Sequence, residues 1–251
     1  MTDVTLITGA SAGLGVDFAR QLAARGRRLV LVARRKDRLD ALADEIGNAR
    51  AVAIDLGEPG ASLRLMADIA AHGERVECLI NNAGFGLWGR FASLDGARQR
   101  QMIDLNCGTL VELCHAVIPA MIARKSGAIL NVASTAAFQP GPGMATYFAT
   151  KAFVLSFSEA LHEEVRKSGV RVTALCPGPT ATEFGDVAGF KGNGAFEKLS
   201  ASSSEVVAAG LKALDSNRAV VIPGLLNKFG AQGHRLLPRT WLRKVTAAIK
   251  Y

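Results

Sequence analysis

Cysteine is scarce in this 251-residue chain, with four residues at Cys78, Cys107, Cys114 and Cys176. They form no CxxC pair, and no histidine stands at zinc-ligand spacing, which excludes a disulfide framework and a zinc ribbon. Each lies in or beside an apolar run, so the expectation is four small buried thiols in a reducing, cytoplasmic setting. No stretch of about 18 uncharged apolar residues is present, which argues against a membrane span. The apolar run Val4–Thr8 starts almost at the first residue and leaves no room for a signal peptide. Acidic residues are missing altogether from 217–251, where seven Lys or Arg stand. The formal charge of +8 is therefore nearly all in that tail. The body carries only +1, which argues against a nucleic-acid-binding surface and leaves a basic C-terminal patch to explain. At 49% apolar and 21% charged, the composition is that of an ordinary globular domain.

Short, nearly continuous β-branched runs occur at Val4–Thr8, Leu29–Ala33, Ala51–Ile54, Val76–Ile80, Ala128–Val132, Val170–Leu175 and Ala219–Ile222. Strands without polar alternation are buried on both faces, as in a parallel sheet. Helical stretches alternate with them at Leu14–Arg25, Arg38–Ile46, Ala61–His72, Gln99–Ala123 and Thr146–Lys167. The alternation predicts a single α/β domain, a doubly wound Rossmann-type parallel sheet of seven strands covered by helices on both faces. Residues 1–222 read as the dinucleotide-binding catalytic domain, with 178–205 as a substrate lid, and 223–251 as a basic amphipathic extension.

The first strand runs into Thr8-Gly9-Ala10-Ser11-Ala12-Gly13-Leu14-Gly15 and then a helix. Gly9 permits the tight turn, while Gly13 and Gly15 allow backbone and helix to approach a pyrophosphate, whose charge meets the free N–H groups of the helix N-terminus. The second strand ends Ala33-Arg34-Arg35. Where an NAD site places an acid for the ribose 2′-hydroxyl, Ala33 cannot bond, and the following guanidiniums suit a 2′-phosphate. NADP rather than NAD is the expected cofactor.

Tyr147 and Lys151 share one helix face, and a phenol of ordinary pKa about 10 needs a neighbouring cation to exchange protons near neutrality. Ser134 follows the fifth strand, at the sheet edge where ligands bind, and can hydrogen-bond a carbonyl oxygen as charge develops on it. Taken singly, such a pair is a common coincidence and such a serine is an ordinary turn cap.

Together with the glycine turn, these residues resemble the short-chain dehydrogenase/reductase family, in its branch of about 250 residues. The resemblance covers nearly all of 2–223. It rests on TGASAGLG at 8–15, Asn81-Asn82-Ala83-Gly84, Asn106, Ser134, Tyr147xxxLys151 and Pro177-Gly178. The resemblance implies Tyr147 as acid/base, Lys151 as its electrostatic partner and nicotinamide-ribose ligand, Ser134 as the group orienting the substrate oxygen, and Asn106 as holder of a relay water. It further implies that Asn82, Ala83 and Gly84 line the adenosine side, that Asp55 and Leu56 contact adenine, and that Asn81 braces the sheet. Ser11 and Arg34 match positions used for the 2′-phosphate, and Thr182 matches one that bonds the carboxamide. Gly9, Gly13, Leu14, Gly15, Pro177 and Gly178 complete the cofactor contacts, to which Tyr147 and Lys151 also belong. Hydride transfer between NADP(H) and a carbonyl/alcohol pair follows, in a homodimer or homotetramer and with no metal. A non-catalytic NADP-binding sensor is the alternative.

Phe85, Leu87 and Trp88 either wall the substrate pocket or anchor their loop. Apolar Phe184, Val187, Phe190, Phe196 and Leu199 in the lid fit a hydrophobic substrate, or else pack the lid onto the body. His115 reads as a packed histidine. After Pro238, Trp241, Leu242, Val245, Ala248 and Ile249 fall on one helical face opposite Arg239, Arg243 and Lys250. That face either packs on protein or lies on an anionic membrane surface, and a protein acting through such a tail is a further alternative.

Overall fold

The computed structural model describes residues 1–189, 201–233 and 238–248. Seven parallel strands form one sheet in the order β3-β2-β1-β4-β5-β6-β7. They are β1 (Thr2–Thr8), β2 (Leu29–Ala33), β3 (Ala49–Ala53), β4 (Glu74–Asn81), β5 (Gly127–Val132), β6 (Val170–Leu175) and β7 (Val220–Val221). The helices are α1 (Leu14–Ala23), α2 (Lys36–Ile46), α3 (Ala61–Ala71), α4 (Gly96–Ile103), α5 (Leu110–Ala123), α6 (Ala145–Val165), α7 (Phe184–Ala188), α8 (Ser203–Asp215), α9 (Leu225–Gly233) and α10 (Arg239–Ala248).

The apolar strands supply both cores, because successive side chains point to opposite sheet faces. On one face Leu6, Val30, Leu79, Ile129 and Val172 meet buried residues of α3, α5 and α6. On the other, Ile7, Leu31, Ile80, Leu130 and Leu175 meet those of α1, α2 and α8. Chain order reverses at β1, whose Ile7 lies beside Leu31 of β2 and Ile80 of β4. The carboxyl ends of β1 and β4 flank that reversal, where an open sheet leaves its ligand crevice.

A polar thread crosses the buried middle of the sheet. Asn81 Nδ2 donates to Asn131 Oδ1 at 2.9 Å, and Asn131 Nδ2 donates to Ser158 Oγ on α6 at 2.9 Å. Since an orphaned buried polar atom costs about 1–3 kcal/mol, this chain fixes the relative register of β4, β5 and α6.

The structure departs from the expected elements at three places. The long helix expected over 99–123 is broken by a π-helical segment, Asp104–Thr109. By length and composition alone the span 96–123 would suffice to cross a membrane, but Leu110, Leu113, Cys114, Val117 and Met121 are buried against the sheet. Helices α8 and α9 lie where the sequence suggested no helix. The lid residues Phe190, Phe196 and Leu199, with His234, Arg235, Ile249 and Lys250, fall outside the described residues. All four cysteines are free, and burial pushes every thiol above its ordinary value.

Candidate active site

The glycine turn sits at the carboxyl end of β1 and is stapled to β4. Thr8 Oγ1 accepts hydrogen bonds from the Asn82 and Ala83 amides, each at 3.0 Å. Asn82 Nδ2 donates to Thr8 O at 3.0 Å and Gly9 O at 3.1 Å. Gly15 permits no side chain, since a Cβ there would stand 2.1 Å from Gly9 O. Gly13 caps α1 at φ 52° with no side chain bonded to the helix end. A Cβ on Gly13 would meet Thr182 Cγ2 at 2.9 Å, which brings the Thr182 side chain against the turn. An uncapped helix N-terminus behind a bare glycine cradle is a phosphate seat by dipole and geometry.

At the end of β2, three guanidiniums gather rather than one. Arg34 is mostly exposed, with Nη1 3.8 Å from Asp55 Oδ2. Arg35 turns back over the glycine turn, its Nε donating to Ser11 Oγ at 3.2 Å and its Nη2 to Ser11 O at 3.3 Å. Arg38, one turn into α2, joins Arg35 in gripping Glu183, at 2.6 and 3.0 Å. Both arginines hold the Glu183 carboxyl below its usual range. Arg38 and Glu183 were not singled out in the sequence, although Arg38 stands only four residues after Arg34, in the first turn of α2. Asp55 Oδ1 accepts from the Gly57 amide at 2.9 Å. The Leu56 side chain is buried in the core and its carbonyl takes the Thr109 hydroxyl, so only its backbone edge borders the crevice.

Tyr147 and Lys151 come from the first two turns of α6, and both are buried. Lys151 Nζ donates to Val132 O at 2.8 Å and lies 5.8 Å from the Tyr147 ring centroid. Ser134 closes β5 and caps the 3₁₀ turn Thr135–Phe138, accepting from the Ala136 amide at 3.1 Å. The bland and the functional readings of that serine therefore coexist. Its hydroxyl also bonds the Tyr147 phenol, drawing it down while burial pushes it up more strongly, to about 12.

Asn106 lies within the π-helical segment, a distortion that often marks functional positions. Its side chain is fully engaged. Oδ1 accepts from the Phe85 amide at 3.1 Å, and Nδ2 donates to Phe85 O at 3.0 Å and Thr150 Oγ1 at 3.1 Å. Gly84 passes beside this group, with its Cβ direction 2.9 Å from Asn106 Oδ1 and 3.7 Å from Lys151 Nζ. The four expected catalytic residues thus lie close together, beside the loop after β4 that borders the glycine turn.

Apolar surface surrounds the phenol. Phe184 lies with its ring centroid 5.2 Å from that of Tyr147, and a Cβ on Gly86 would meet Met144, Phe184 and the Tyr147 ring. Phe85 is buried in the same cluster. Helix α7, in the segment expected to be a lid, is tied to the loop after β4 by Trp88 N donating to Ala188 O at 2.8 Å.

Burial brings the Lys151 ammonium down to about 8 from 10.5. Below about 8 the folded chain bears the full penalty of a buried charge. Between 8 and 10.5 the unfolded chain binds more protons, so stability rises with pH across that window. Lys151→Met should flatten that rise, by about 2 kcal/mol between pH 7 and 9.5, in urea-unfolding midpoints followed against pH. Equal pH slopes for the two proteins would contradict the buried-ammonium assignment.

The sequence pattern of the short chain dehydrogenase family matches residues 3–189. The chain is similar to sulfoacetaldehyde reductase 2 of Chromohalobacter salexigens, 39% identical over 189 residues that cover 73% of this chain and 75% of that one. Among solved structures, a short-chain dehydrogenase from Sphingobium yanoikuyae in complex with NADPH is 36% identical over the whole of both chains, at a TM-score of 0.83. A bulky-bulky ketone specific alcohol dehydrogenase from Comamonas testosteroni is 29% identical over 99% of this chain and 92% of that one, at a TM-score of 0.78.

Proposed function

The chain belongs to the short chain dehydrogenase family of oxidoreductases, and from that membership we propose that it uses NADP(H) to interconvert a hydrophobic carbonyl compound and its alcohol, with Tyr147 as the acid/base. The observation that carries the reading is the buried Tyr147 phenol held between Ser134 and Lys151 inside an apolar pocket.

The residues fit the cofactor. Gly9, Gly13, Leu14 and Gly15 with the α1 terminus suit the pyrophosphate, and Asn82, Ala83 and Gly84 border the adenosine side. Asp55 and the Leu56 backbone edge flank the adenine end. Pro177, Gly178 and Thr182 lie beside the nicotinamide end. At the ribose, Ser11, Arg34 and Arg35 offer a hydroxyl and two cations where an NAD site carries an acid. When bound, NADPH supplies hydride to the substrate carbonyl carbon.

Ser134 donates its hydroxyl hydrogen bond to the carbonyl oxygen and fixes it against the phenol. The phenol, neutral at physiological pH because burial holds it near 12, gives its proton to the oxygen as negative charge grows there. Lys151 stabilises the resulting phenolate through its positive charge. Because both Asn106 Nδ2 hydrogens and one Oδ1 lone pair are taken by Phe85 and Thr150, a relay water that refills the phenol is assigned to its main-chain carbonyl in the π-helical turn. Reduction is the physiological direction, since cells keep the NADP pool reduced.

Phe85, Gly86, Met144 and Phe184 around the phenol favour a hydrophobic carbonyl. A second copy is expected against α5 and α6, whose outward Ile122 and Phe153 are 40% and 44% exposed. The direct test is a carbonyl panel followed by nicotinamide absorbance with NADPH and NADH. Aromatic or alicyclic ketones should turn over with NADPH. Preference for small anionic aldehydes would refute the substrate class, and NADPH binding without turnover of any member would favour a sensor.

Glu183 competes with a 2′-phosphate for Arg35 and Arg38. Glu183→Gln should therefore lower the KM for NADPH a few-fold, as befits an exposed ion pair, and leave that for NADH unchanged. An equal change for both cofactors would mean that the carboxylate acts through the lid instead.

A further inference from the structure

The last two helices expose large apolar side chains instead of burying them. On α9, Leu225, Leu226 and Phe229 are 75%, 78% and 73% exposed. Spaced i, i+1 and i+4, they occupy one arc of about 100°. On α10, Trp241 and Val245, one turn apart, are 66% and 48% exposed, while Leu242 beside them is buried. A scattered exposed Leu is unremarkable, but five large apolar side chains on two consecutive helices make a surface that asks for a partner.

Both helices meet the same part of the body. Helix α9 packs on the 3₁₀ turn that Ser134 caps, and the Asn227 side chain fills the space beside Gly178. Leu242 and Arg243 of α10 face Ala137 and Phe138 of that turn, across a cleft whose one acid among the described residues is Glu159. The exposed faces therefore lie beside the active-site edge of the sheet. On them Lys228, Arg243 and Lys244 are exposed, and 217–251 contains no acid to neutralise them.

Charge decides between the candidate occupants. A twofold contact through this face would lay the basic patch on its own copy, and like charges across an interface oppose association. An anionic lipid surface offers the complementary charge together with an apolar layer for Leu, Phe and Trp side chains. We propose that the α9–α10 face docks this enzyme on anionic membranes, with Leu225, Leu226, Phe229, Trp241 and Val245 entering the interface and Lys228, Arg243 and Lys244 pairing with lipid phosphates. Docking through this face is independent of the substrate class. Docking in this way sets the substrate side of the active site next to the lipid.

The test is co-sedimentation of the full chain with phosphatidylcholine vesicles, with and without phosphatidylglycerol. Binding should require the anionic lipid and weaken as salt is raised. Phe229→Asp/Trp241→Asp and, separately, Arg243→Glu/Lys244→Glu should each weaken vesicle binding by roughly tenfold or more, with circular dichroism and sedimentation coefficient unchanged. The charge reversal leaves every apolar side chain in place, so it tests the proposal even if the first double variant fails to fold. Absence of binding to anionic vesicles, equal binding to neutral ones, or undiminished binding of both folded variants would overturn the proposal. So would a Phe229→Asp/Trp241→Asp protein that binds vesicles normally but loses a subunit in ultracentrifugation, which would assign the face to self-association.

Discussion

Tyr147→Phe should reduce turnover by about 10³–10⁴-fold, the upper part of the range for a positioned proton donor, while leaving NADPH affinity close to wild type. The variant keeps the ring that packs on Phe148 and Phe184 and removes only the hydroxyl, so a folding defect does not complicate it. Ser134→Ala should cost less in rate, yet it also strips the cap from the Ala136 amide and should lower stability by about 1 kcal/mol. Stopped-flow absorbance for turnover and fluorescence titration for NADPH separate the two quantities. Near-wild-type turnover in Tyr147→Phe would mean that the proton comes from another group. A parallel loss of cofactor affinity would mean that the ring is a binding element first.

The second large effect concerns cofactor choice. Arg34→Ala/Arg35→Ala should weaken NADPH by about 10²-fold or more, because two charge-assisted bonds to a 2′-phosphate, at about 1.5–3 kcal/mol each, are removed. NADH lacks that phosphate and should change by no more than a few-fold. The single variants separate two roles. Among the described residues Arg34 forms one ion pair, with Asp55 at 3.8 Å, so Arg34→Ala reports mainly on the phosphate. Arg35 also binds Ser11 and Glu183, so Arg35→Ala additionally loosens the glycine turn and the start of the lid. Equal losses for NADPH and NADH in Arg34→Ala would place the 2′-phosphate elsewhere.

Tyr147, Lys151 and the glycine turn were legible in the sequence because their spacing is local, whereas the proposed role of Asn106 came only with the family resemblance. Tyr147 and Lys151 are one helical turn apart, and the glycines are confined to one strand-to-helix turn. Strand positions were equally legible, since residues buried on both sheet faces leave continuous apolar runs. What stayed hidden depends on distant parts of the chain. Helix α8 begins in a serine run and contains Gly210, both poor helix signals, yet Gly210 lets the helix press on Leu175 and Leu130. Tertiary packing overrides propensity there. The Arg35–Ser11–Glu183 cross-link joins residues up to 148 positions apart, which no local pattern announces. The π-helical break at Asn106 was invisible because apolar periodicity continues across it into α5. The tail helix was foreseen from its period, but its apolar stripe is split: Leu242 faces the body and Trp241 faces outward.

The place of β1 inside the sheet, between β2 and β4, has a kinetic consequence. It can pair with β2 as soon as α1 folds back, but its other neighbour is far along the chain, with Val4 beside Val76. Closing so long a loop before contacts repay it slows folding. Until β4 arrives, Gly9 lacks the Asn82 side chain that holds its carbonyl, and Thr8 Oγ1 has no amides to receive. The cofactor seat is thus completed by the same event that joins the two halves of the sheet. In refolding, NADPH-binding capacity should appear together with the slow β1–β4 closure rather than with early formation of the β1–β2–β3 wing.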